Sequence, residues 1–294
     1  MKALILVPSL IATLAAQDKA PTLAERFKAE QPAINQLLES FEAKQALAKA
    51  EALIPTTKPD FDKSTAQAGL ASSQTFSTLM ATYSLAGKAA LTSGDWNKAL
   101  DYFHKAKELA AENSTNSSAL LGPVIETWNK AVETAKKALE DGAARRAELQ
   151  AKTPRTESEE TELKNFQIFE DNTKKGPMVI QNIKGTLDGL KADSGGFEGV
   201  IDGIEKSLKA EKEQLASPQF KGDKAKYVSA VMNPANMATR ATKADKIAFV
   251  DRLLFLDSTN KKCLRELDVL MGKAAPVPEK KPAATHKKKK KKGN

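Results

Sequence analysis

The chain has little of what catalysis most often uses. It carries a single cysteine, Cys263, and two histidines, His104 and His286. One thiol can close neither an internal disulfide nor a Cys-x-x-Cys site, and two histidines this far apart have no metal-ligand spacing. The glycines of Ser194–Gly199 are not followed by Gly-Lys-Ser/Thr, so they read as a turn between helices rather than a phosphate loop. Adjacent acids such as Glu159 and Glu160 fit solvated helix faces. No catalytic residue, metal site or cofactor is assigned, and the chain is expected not to be an enzyme.

Aromatic residues are also scarce, at 5% of the chain, while hydrophobic residues make up 41%. Alanine, leucine, lysine and glutamate dominate, which favours helices packed through small side chains over sheets. The expected fold class is all-α. Within it, Cys263 falls in an apolar series with Leu264, Leu267 and Leu270 at helical spacing, the pattern of a buried small hydrophobe. Pairing between chains, or a reactive thiol, is the alternative.

No apolar run reaches the roughly 20 residues of a membrane span. The stretch from Ala3 to Ala16 is shorter and is interrupted by Pro8, Ser9 and Thr13. Preceded by Lys2 and ending in small residues, it has the form of a secretory signal cut near Ala15 or Ala16. The mature protein is then expected to be secreted or periplasmic. It would not be a lipoprotein, because no cysteine adjoins the cut. An uncleaved anchor and a buried first helix are the alternatives.

The net charge of +9 is unevenly placed. Residues 273–294 hold nine lysines against Glu279, a net +8, leaving +1 for everything before them. With Pro276, Pro278 and Pro282 among the lysines, this segment is expected to be a disordered tail. Its run Lys287, Lys288, Lys289, Lys290, Lys291 and Lys292 is a candidate site for a polyanion, such as an anionic envelope polymer or a membrane surface. No aromatic side chain is interleaved to stack bases, so sequence-specific nucleic-acid binding is not expected. In a cytosolic protein the same run would instead read as a nuclear-targeting segment.

Apolar periodicity and turn residues divide the chain further. Helices are expected over 23–54, with Pro32 opening the second of two, and over 62–92. The NSTNSS segment, 113–118, reads as a loop with glycosylation-type sequons at Asn113 and Asn116. A long helix follows over 120–152, with Pro123 near its start. Thr156 and Glu159 form a capping box for a helix reaching Lys174, which Gly176-Pro177 ends. Helices over 177–192, 197–216 and 224–232 come next, then a pair over 243–272 around Asn260. The expected regions are a signal at 1–16, an N-terminal helical region at 17–116, long-helix hairpins at 117–218, C-terminal helices at 219–272 and the tail.

One stretch carries a family likeness. Tyr83, Gly87, Gly94, Trp96, Ala99, Phe103 and Ala106 stand where a tetratricopeptide repeat has its small and aromatic packing residues, and Ala99, Phe103 and Ala106 share one helix face. Residues 80–113 resemble such a repeat, with Ala86, Ala90 and Ala111 as departures from its pattern; 48–55 and 249–260 are partial echoes. The resemblance implies a TPR-like, α-solenoid segment beside a bundle of longer helices. It also implies a peptide-binding face at Ser84, Lys88 and Thr92, with Ala81 and Leu91 alongside. The expected function is thus an exported scaffold for an unknown protein partner, with attachment through the lysine tail as the alternative.

Overall fold

A computed structural model describes residues 21–274. The signal-like segment up to Ala16 and the lysines at 287–292 lie outside the described residues. Eleven helices and no strand are present among the described residues, and the fold is all-α. They are α1 (Leu23–Glu39), α2 (Ala43–Leu53), α3 (Ala66–Thr92), α4 (Trp96–Asp141), α5 (Ala143–Ala151), α6 (Glu157–Gly195), α7 (Glu198–Ala216), α8 (Lys224–Val231), α9 (Pro234–Ala238), α10 (Lys243–Leu256) and α11 (Lys261–Leu270).

Several expected breaks are absent. Pro32, Pro123 and Pro177 all lie inside helices, in α1, α4 and α6. All three rings face solvent. The carbonyl each leaves unpaired four residues earlier can therefore be hydrated, which lowers the cost of a proline within a helix. Thus Pro32 does not open the second helix, and Gly176-Pro177 does not end α6. The NSTNSS segment is not a loop either. It is the middle of α4, and Asn113 is buried there, with Nδ2 donating to Ser73 O and Ser77 Oγ at 3.1 Å each. A side chain held in this way is not presented for glycosylation.

The described residues separate into two compact units: 21–90 with Asn97–Ser207, and Leu91–Trp96 with 208–274. In the first, α3 and α4 form a hairpin packed through small residues. Ala86, Ala89 and Ala90 meet solvent nowhere, and neither do Ala99 and Ala106 opposite. Gly87 lies under the Phe103 ring, where a methyl group would come within 3.0 Å. Phe76, Leu79 and Leu109 make the hairpin's apolar centre, and Phe61 meets Phe76 edge-on at 5.4 Å. Helix α2 is tied to α4 through Glu51, which accepts from Tyr102 Oη at 2.6 Å and pairs with Lys98 at 2.5 Å. Burial opposes ionisation of Glu51, but these two hydrogen bonds outweigh it and lower its pKa. The start of α7 adds Phe197 beside Phe103, and Lys107 pairs with Glu198 at 3.0 Å.

In the second unit the core is built by Phe220, Tyr227, Val228, Met232, Met237, Val250, Leu253 and Cys263. Cys263 is fully buried, and burial pushes its thiol up to about 11. Asn260 caps α11 by accepting from Cys263 N at 3.3 Å, which fixes the corner between α10 and α11.

Candidate functional site

The turn that joins α3 to α4 packs against α10 in the second unit. Gly94 has φ +85°, a left-handed conformation that a side chain would strain. A Cβ there would also lie 2.6 Å from Asp251 O, so α10 can approach only because the residue is glycine. Gly94 O accepts from Trp96 N at 3.0 Å and from Arg252 Nη1 at 2.6 Å.

Arg252 is almost completely buried, at 4% exposure. Its Nε donates to Glu211 Oε2 at 2.9 Å and its Nη2 to Glu211 Oε1, a fork-on-carboxylate pair. Its guanidinium lies 4.5 Å from the Trp96 ring centre and 5.3 Å from that of Phe255. Removing either partner of such a pair would leave a buried charge, so Arg252 and Glu211 together lock the position of Trp96.

Beside this lock is a groove of about 550 Å³. Leu91, Trp96, Ala248 and Phe249 supply its apolar lining, and Thr92, Thr239 and Asp245 its polar edge. Arg240, in the connection between α9 and α10, also lines it, with its guanidinium 4.4 Å from the Phe249 ring centre. Arg240 Nε is buried and has no hydrogen-bond partner among the described residues. Asp245 is committed to the capping box of α10: its carboxylate accepts from Thr242 N at 3.0 Å, and Thr242 holds its pKa down. The groove therefore offers an aromatic floor and one cationic donor, a set suited to an apolar side chain beside a carbonyl or carboxylate.

Of the three residues expected on a partner-binding face, only Thr92 lines this groove. Ser84 and Lys88 lie earlier on α3, in the first unit, half-buried and exposed respectively. Arg240 and Phe249 escaped the sequence reading. Arg240 falls between two expected helices, and Phe249 reads as one more apolar residue on a core face. His104 is exposed, 3.5 Å from Glu205, where an ion pair forms only when the imidazole is protonated. Among the described residues no group of three or more His, Cys, Asp or Glu is placed to hold a metal ion, and no helix is long and apolar enough to cross a membrane. Comparison with protein-family models, curated proteins and solved structures gives no match.

Proposed function

We propose that the chain is an exported, non-enzymatic helical scaffold that takes a protein partner in the groove beside Trp96. The observation that carries this reading is the Arg240 guanidinium, which lines the groove with Trp96 and lies 4.4 Å from the Phe249 ring centre. A partner's carbonyl or carboxylate in the groove would accept a charge-assisted hydrogen bond from this guanidinium. The close α3–α4 pairing through Ala86, Gly87, Ala90, Ala99, Phe103 and Ala106 supports a tetratricopeptide-like helix pair as the frame. Export rests on the sequence of the first sixteen residues alone. The lysine run at 287–292 supports a second reading, attachment to an anionic polymer or surface.

A photo-crosslinking residue in place of Thr92 tests the groove. In envelope extract it is expected to give a defined protein adduct that is lost on Arg240→Ala, with helical content unchanged by circular dichroism. The same crosslinker at Ser84 is expected to give none. An adduct indifferent to Arg240→Ala would overturn the assignment.

A further inference from the structure

A second groove in the same unit differs from the first in its charge. It has a volume of about 540 Å³ and an apolar floor of Met232, Pro234, Met237, Val269 and Leu270. Its rim carries Lys246, Lys262 and Arg265 against one carboxylate, Glu266. Ion pairs elsewhere among the described residues tie Lys107 to Glu198 and Lys152 to Glu159. None of the three rim cations has an ion-pair partner among the described residues.

Unpaired positive charge around an apolar floor selects the occupant. We infer that this groove docks an acidic amphipathic segment of a partner protein, with apolar side chains on the methionine floor and Asp or Glu against Lys246, Lys262 and Arg265. Methionine side chains adapt their shape to such an insertion, and complementary charge sets its approach. Neither of the chain's own segments outside the described residues is acidic: 1–20 carries a net +1 and 275–294 a net +7, so neither complements the rim. A second copy meeting this face to face would set like charges against each other. The site shares no lining residue with the Trp96 groove and does not depend on that reading.

The full chain can be titrated by fluorescence anisotropy with a labelled peptide of about four helical turns, leucines on one face and glutamates on the other. A counterpart with lysines in place of the glutamates is the control. The acidic peptide is expected to bind and the basic one not to. Reversing two exposed rim charges together, Lys262→Glu with Arg265→Glu, should weaken binding roughly tenfold at unchanged melting temperature. Arg240→Ala, which alters only the other groove, should leave it unchanged.

Three results overturn the proposal. The first is binding that survives the double reversal. The second is binding abolished by removing residues 273–294, which assigns it to the tail. The third is a lack of peptide binding while phosphatidylglycerol vesicles co-sediment in a manner sensitive to the double reversal, which assigns the face to a membrane surface.

Discussion

Gly94 shows how one residue connects sequence, fold and site. Its φ of +85° and the 2.6 Å approach of Asp251 O to the place of a Cβ make it the joint through which the α3–α4 turn meets α10. Gly94→Ala is expected to destabilise the protein by roughly 2 kcal/mol or more, since left-handed strain and a backbone clash add. Urea unfolding measures this, and a change below about 0.5 kcal/mol would show that the turn is not held as described. In the sequence the glycine stands just past the helix expected over 62–92. Its contact with α10 was not legible there, because the two lie far apart along the chain and nothing local in the sequence pairs them. Asn113 errs in the opposite direction. A polar Asn-Ser-Thr cluster has the composition of a loop, yet Asn113 and Ser117 are buried and bonded to Ser73 and Ser77 across the hairpin.

At the scale of the helices, caps were more readable than breaks. The Thr156–Glu159 capping box is present as expected, with Thr156 N donating to Glu159 Oε2 at 3.0 Å and Glu159 N to Thr156 Oγ1 at 3.4 Å. Such a box involves residues three apart, so local sequence suffices to specify it. The course of the chain at Gly176-Pro177 depends instead on which way each residue faces. Pro177 points to solvent inside α6, whereas Gly176 is buried, and a methyl group there would lie 2.2 Å from Val132 Cγ2. Neighbouring alanine substitutions should therefore act in opposite directions. Pro177→Ala restores a backbone donor at an exposed position and is expected to stabilise by about 1–3 kcal/mol. Gly176→Ala gains helix propensity but collides with a β-branched side chain that has little rotamer freedom, and is expected to destabilise by about 1–2 kcal/mol. Thermal unfolding of the two variants separates these effects. If both stabilise, α6 does not pack on α4 at Val132.

For the molecule as a whole, the perturbed groups define a pH window of stability. The shifted carboxylates all move down. Glu159 falls to about 2 through its hydrogen bonds with Lys152 and Thr156; Asp62 is held down by Ser64, Asp171 by Lys175 and Asp257 by Thr259. A carboxyl group with a lower pKa in the folded state stabilises the fold fully above its unfolded value. That contribution disappears as pH falls through the folded value. Stability should therefore decline from about pH 4.5 downward. On the alkaline side the sign reverses, because Cys263, Tyr102 and Tyr227 are all raised, chiefly by burial. Their contributions are complete below the unfolded values and are lost as pH rises, beginning near 9 for Cys263 and near 10 for the tyrosines. Glu51 joins the two limbs, since it accepts the Tyr102 hydroxyl and is itself lowered by that bond and by Lys98. Urea midpoints across a pH series should form a plateau between about 4.5 and 9. Tyr102→Phe should lower the plateau and make the alkaline limb shallower. An alkaline limb unchanged by Tyr102→Phe would show that the Tyr102–Glu51 bond does not link α4 to α2 in solution.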